Sequence, residues 1–283
     1  MEKQLITKPW IRSALDRRDF KTLRMAFKEQ EVADIAETFS ALGLIENIAL
    51  FRMVPRSRRV DLFSHMEIDR QEDLIYELPD IITVSLLNEM EPDNRTRLLE
   101  RLVPEIRHKY LLKLDPQERQ VAWKLLSYPE DSVGRLMTSD FILLNEDMTV
   151  SRAIEYIHWT TNIPPEFLHY LFVADQQGML VGEITLAELV ICDPVSLKVS
   201  EVMKKTHVFL NPEQESSEAV ETFRKYDQHY IPVVDKKSII LGIVTADDVF
   251  DVAEEEATED IQQFGGHEAL EDSYFHTPLF TMI

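Results

Sequence analysis

The sequence predicts an α+β multidomain chain: an all-α superhelical array of short helices, a tandem pair of β-α-β-β-α units, and a connecting amphipathic helix. Three observations carry this reading. Apolar residues recur every twelve positions between residues 50 and 114. The segment beginning near residue 131 repeats itself at offsets of 66 and then 60 residues. Residues 238–283 hold eleven Asp and Glu and no Lys or Arg, about half of the chain's net charge of −21.

The array comes first, over 1–130. Leu50, Leu62, Leu74, Leu86, Leu98 and Tyr110 form one series, and Phe51, Phe63, Ile75, Leu87, Leu99 and Leu111 the next. A third series reads Val54, Met66, Leu78, Met90, Leu102 and Leu114. Each unit therefore presents an i, i+1, i+4 apolar face, and Pro55, Pro79, Pro92, Pro104 and Pro116 exclude one long helix. Helices of about two turns cannot bury such a face alone, so neighbours must stack.

Two related units follow, over 131–196 and 197–249. Leu136-Met137 aligns with Val202-Met203, Leu144-Asn145 with Leu210-Asn211, and Ala153-Ile154 with Ala219-Val220. Further on, Val173, Asp175, Gly182 and Thr185 align with Val233, Asp235, Gly242 and Thr245, so the first copy holds six extra residues around Thr160 to Pro165. Each copy reads as an extended lead-in, a helix, a strand (Tyr170–Val173; Tyr230–Val234), a turn, a strand (Leu180–Ile184; Ile240–Val244) and a helix.

The last part, 250–283, opens as an amphipathic helix. At 100° per residue Phe250, Ala253, Ala257, Ile261 and Phe264 share a packing stripe, and Asp248, Asp251, Glu255 and Glu259 line the opposite face. Like charges three and four apart cost roughly 0.2–0.5 kcal/mol per pair, and no basic residue in the segment relieves them. Solvent, cations or another domain must do so. A solvated acidic face is the plain alternative.

Composition limits what else the chain could be. With 45% hydrophobic residues it has ample material for cores, and no stretch approaches the ~20 apolar residues of a membrane span. The start, Met-Glu-Lys-Gln, lacks the apolar region of a signal peptide. The single cysteine, Cys192, fits a reducing compartment and reads as a small buried hydrophobe. Eight histidines without zinc spacing, and the absence of a Ser-His-Asp set or phosphate-cradling glycine loop, predict no enzyme. His158 and Trp159 read as packing residues. A pI near 4.8 argues against nucleic acid and for cations or basic surfaces as partners.

The duplicated units resemble cystathionine-β-synthase (CBS) domains, whose tail motif is Gly-hydrophobic-x-Ser/Thr-x-x-Asp/Asn. It appears as Gly242-Ile243-Val244-Thr245-Ala246-Asp247-Asp248, and in the first copy as Gly182-Glu183-Ile184-Thr185-Leu186-Ala187-Glu188. The whole order is similar to the cytoplasmic region of the MgtE family of bacterial magnesium transporters and channels: helical array, Gly134-Arg135-Leu136-Met137-Thr138, paired CBS units, then Glu256-Ala257-Thr258-Glu259-Asp260-Ile261. The resemblance implies a Mg2+-sensing and gating region, with a plug helix from Phe250 to about Gly265. It also implies a homodimer formed through the CBS domains, a transmembrane pore domain of the same protein as partner, and a place on the cytoplasmic face of the bacterial inner membrane. On this reading the chain stops before any span.

The resemblance implies Asp248, Asp251, Glu256, Glu259 and Asp260 as acids that bind several Mg2+ ions, with Asp227 at the end of the second copy's first helix. Geometry adds Glu255 from the ridge. The array offers Glu91 and Asp93 around Pro92, where Arg97 stands in place of a further acid. CBS pairs also bind adenine nucleotides, which makes Thr185, Glu188 and Thr245 the candidates for ATP. Glu188 replaces the usual Asp, Ala187 is uncharged and Gln228 offers no stacking face, while capping of the following helices explains both threonines equally. Arg56, Arg58 and Arg59 are candidates to pair with the acid tail. The competing readings are a nucleotide-responsive CBS module with a merely solvated tail, and an adaptor whose array docks a protein.

Overall fold

A computed structural model describes residues 6–160, 163, 165–192 and 197–254. The chain divides into two compact units, Met1–Ser127 and Tyr128–Ile283.

The first unit is helical among its described residues. It runs α1 (Lys8–Asp16), α2 (Phe20–Glu29), α3 (Val32–Ser40), α4 (Leu44–Phe51), α5 (Arg59–Ser64), α6 (Ile68–Glu77), α7 (Asp80–Glu89), α8 (Pro92–Arg101), α9 (Pro104–Lys113) and α10 (Pro116–Leu126). From α6 to α9 every helix has ten residues, nearer three turns than the two expected from the apolar spacing. The prolines start helices rather than separate them: Pro92, Pro104 and Pro116 occupy the first helical turn, where a missing N–H costs nothing. Leu78, Met90, Leu102 and Leu114 end their helices in extended conformation with their side chains buried.

The period also begins earlier than the sequence suggests. Phe27 and Phe39 precede Phe51 and Phe63 at the same spacing, all four fully buried, and rings pack edge to face at 5.9 Å in Phe27–Phe39 and Phe51–Phe63. A fourth series is polar. Arg59, Gln71, Arg95 and Arg107 each donate to the carbonyl five residues back, on Val54, Met66, Met90 and Leu102, at 3.0, 2.8, 3.2 and 3.3 Å. Each thus satisfies the orphan carbonyl where one helix ends and the next begins. Arg95, wholly buried, also donates to Leu87 O at 3.1 Å and meets Glu118 at 2.6 Å.

The second unit contains α11 (Val133–Leu136), β1 (Ile142–Asn145), α12 (Val150–Trp159), β2 (Tyr170–Ala174), β3 (Leu180–Thr185) and α13 (Leu186–Ile191), then α14 (Val199–Val202), α15 (Ser216–Tyr226), β4 (Tyr230–Val234) and β5 (Ile240–Thr245). A further helix, α16, covers 246–254. In the first copy β1 pairs parallel with β2, which pairs antiparallel with β3. In the second copy β4 and β5 pair antiparallel, and the counterpart of β1 shrinks to a parallel bridge between Leu210 and Val233.

The lead-ins are exchanged between the copies. Thr138, before the first copy, bonds both ways with Ile243 of β5 at 2.8 and 2.9 Å; Lys204, before the second, bonds both ways with Glu183 of β3 at 2.9 Å. The motif glycines permit this approach. A Cβ on Gly182 would stand 2.6 Å from Lys204 O, and one on Gly242 would stand 2.6 Å from Thr138 O. Phe167, Phe172, Ile240 and Ile243 form an apolar cluster shared by both copies.

Candidate functional site

The acidic tail grows directly out of the second hairpin. Thr245 closes β5 and caps α16: its hydroxyl accepts from Asp248 N–H at 3.5 Å and donates to the Asp248 carboxylate. One metal candidate therefore already serves as a half-buried capping partner, while Asp251 is exposed on the next turn. Of the expected packing stripe only Phe250 and half-buried Ala253 fall among the described residues. Val249, 2% exposed, anchors α16, whereas Phe250 is 69% exposed. Glu255, Glu256, Glu259 and Asp260 lie outside the described residues.

The other acids occupy helix ends. Asp227 terminates α15 in the left-handed region at φ 50° and is exposed. Glu91 is the N-cap residue of α8 and Asp93 lies in its first turn, where the helix dipole favours negative charge; Asp93 is nonetheless 5% exposed. All these groups supply the oxygen donors that Mg2+ takes. Among the described residues, however, no three His, Cys, Asp or Glu side chains gather into a metal-holding group.

Charge is unevenly divided between the units. Met1–Ser127 carries 21 Lys and Arg against 22 Asp and Glu, whereas 128–283 carries nine against 29. The three arginines offered as partners for the tail have partners inside the array. Arg56 meets Glu89 at 3.2 Å, Arg58 donates to Phe27 O and Gln30 O at 2.7 and 2.6 Å, and Arg59 binds Val54 O and Arg52 O at 3.0 Å.

A cleft of about 700 Å3 opens between the two copies within the second unit. Its walls repeat at the offset of 60: His169-Tyr170 faces it from one copy and His229-Tyr230 from the other, with Leu186 and Ala187 answered by Ala246 and Asp247. Tyr170 and Tyr230 lie 5.3 Å apart between ring centroids. The duplicated His-Tyr pair is the signal of this cleft in the sequence, although it belongs to no motif. Thr185 also lines this cleft, but Glu188 and Thr245 are not among its lining residues.

Both threonines cap, as the alternative reading held. Thr185 and Glu188 form a reciprocal capping box, the Glu188 carboxylate accepting from Thr185 N–H and Oγ1 at 2.9 Å while Thr185 Oγ1 accepts from Glu188 N–H at 3.1 Å. The second Glu188 oxygen meets Lys204 Nζ at 2.6 Å. Lys204 and then the Thr185 amide hold the Glu188 carboxyl below its ordinary value, and Glu188 raises Lys204 in turn. Neighbouring Glu183 moves the other way, since burial pushes its carboxyl up. Two smaller expectations also change. Trp159 is 73% exposed, its ring edge-on to His158 at 5.4 Å, and Cys192 is half-buried.

This architecture is an MgtE intracellular N domain, matched over residues 30–131, joined to a tandem pair of CBS domains, matched over 133–192 and 199–255. The chain is homologous to the MgtE magnesium transporters and structurally like the MgtE cytosolic domain. It is 29% identical to magnesium transporter MgtE of Thermus thermophilus over 268 residues, covering 94% of this chain and 59% of that protein. Against MgtE of Bacillus subtilis it is 29% identical over 249 residues, 84% of this chain and 55% of the relative. The chain thus spans a little over half the length of these curated relatives. A crystal structure of the cytosolic domain of the Mg2+ channel MgtE in complex with ATP superposes with a TM-score of 0.79 at 27% identity, over 86% of this chain and 98% of the other. A crystal structure of the soluble part of a magnesium transporter gives 0.77 at 25%, over 88% and 97%. Among the described residues no helix is long and apolar enough to cross a membrane.

Proposed function

We propose that this chain is the Mg2+-sensing, gating region of a magnesium transporter or channel, placed on the cytoplasmic side of a bacterial membrane and serving a pore domain rather than catalysing a reaction. The observation that carries the reading is the uncompensated acid of 238–283, set in a unit with 29 carboxylates against nine basic groups. Asp227, Asp248, Asp251, Glu255, Glu256, Glu259 and Asp260, with Glu91 and Asp93 of the array, are the proposed ligands. Their mutual repulsion opposes compaction. Divalent cations that bridge them favour the compact, closed state by the difference in affinity between the two states.

Limited proteolysis and melting against 0–20 mM Mg2+ at fixed ionic strength, with KCl as control, test this. Saturable protection beyond the salt control is expected, and Asp251→Asn with Glu259→Gln should remove much of it. A Mg2+ response equal to that of KCl, or unchanged in the double variant, sinks the reading.

The cleft favours a second ligand. Its aromatic walls and Thr185, with the ATP complex of a relative, support adenine-nucleotide binding, but the Lys204–Glu188 pair ties up the acid of the first motif. Weak ATP binding without Mg2+-like protection is expected by calorimetry. Micromolar ATP affinity combined with no Mg2+ response would transfer the controlling role to nucleotide.

A further inference from the structure

The first helices of the array carry a surface that neither Mg2+ nor nucleotide uses. Lys21, Arg24 and Lys28, spaced three and four apart, lie on one face of α2 and line a groove of about 700 Å3. Its remaining wall is apolar, with Phe20, Met25 and Met53. Phe20 and Met25 are 47% and 51% exposed, while Leu23 and Phe27, turned to the core, are fully buried and hold the helix in place.

Several cations of the array are paired within it. Arg12 is paired with Glu46, Arg56 with Glu89, Arg95 with Glu118 and Lys109 with Asp80. Arg24 and Lys28 make no side-chain hydrogen bond or ion pair among the described residues, and Lys21 has the Asp19 carboxylate nearby. Residues 1–28 hold eight Lys and Arg against three Asp and Glu, inside a chain of net charge −21. At physiological salt, charge is screened beyond about 8 Å, so this end presents its own sign to a partner.

We propose that this groove docks the array onto a membrane surface by binding anionic phospholipid headgroups. Cations beside exposed large apolar side chains on one short helix form the pattern that settles at a lipid interface, with phosphate on the basic rim and acyl carbons against Phe20 and Met25. The relatives are magnesium transporters by name, and a transporter works at a lipid surface. Each Lys or Arg near an anionic leaflet is worth about five-fold in partition, so three give on the order of a hundredfold, a reversible contact.

The test is co-sedimentation of the full chain in magnesium-free buffer with two kinds of vesicle, phosphatidylcholine alone and equal parts phosphatidylcholine and phosphatidylglycerol. Binding only to the mixed vesicles is expected. The triple variant Lys21→Gln, Arg24→Gln, Lys28→Gln should bind at least tenfold more weakly, and Met25→Gln severalfold, at unchanged melting temperature. No binding to mixed vesicles, or binding that both variants retain, overturns the proposal. So does capture of soluble polyglutamate in place of vesicles, which would make the groove an acidic-peptide site.

Discussion

Gly182 and Gly242 show what a motif glycine is for. Each lets a lead-in backbone lie against the last strand of the other copy, and a methyl group there meets a carbonyl oxygen at 2.6 Å. Gly242→Ala should cost about 1–3 kcal/mol, read from the denaturant midpoint, because backbone must move to admit it. Glu183 makes a prediction of opposite sign. Burial raises its folded pKa above the unfolded value, so its contribution to stability is present at low pH and lost as pH rises through the folded pKa. Glu183→Gln should therefore raise Tm at pH 7, with the gain vanishing below about pH 4, where the acid is protonated in both states. A gain that persists in acid would mean that burial of the charge is not its source. Glu188 behaves conversely: its folded pKa is depressed, and its contribution, present above the unfolded value, fades as pH falls through the folded one.

The helices were legible because their apolar faces repeat, and the strands of both copies because Val- and Ile-rich runs flank Asp-initiated turns. Less legible was the series Arg59, Gln71, Arg95 and Arg107, since polar residues at a fixed spacing read as solvated unless one asks where each helix end finds its hydrogen-bond donor. Arg95→Ala leaves two buried carbonyls without their donor and Glu118 without its ion-pair partner and should destabilise the array by roughly 3 kcal/mol, whereas Glu118→Gln, at a partly exposed site, should cost about 1 kcal/mol or less. Equal losses by chemical denaturation would show that the ion pair, not the carbonyl clamp, is what matters. Candidate-site residues were harder still. Thr185 and Thr245 carry motif chemistry in the sequence, yet a hydroxyl before a helix serves its amides first. Cleft-lining His169 and His229 belong to no motif, and only the duplication marks them.

At the scale of the whole molecule, Val190 and Ile191 on α13 and Phe250 on α16 leave large apolar side chains in solvent, 62%, 81% and 69% exposed. A second copy of this chain is the proposed cover. Ile191→Glu should convert a dimer to a monomer in light scattering without lowering secondary structure; a wild-type monomer at high concentration would remove the proposal. The exchanged lead-ins have a separate consequence, in the order of synthesis. The array's helices pack within short stretches of sequence and so fold by local closure. Thr138 cannot find its partner until Ile243 has been made, 105 residues later by their numbering. On a ribosome the array therefore has time to fold first, and the CBS pair closes last, when Ile243 has left the exit tunnel.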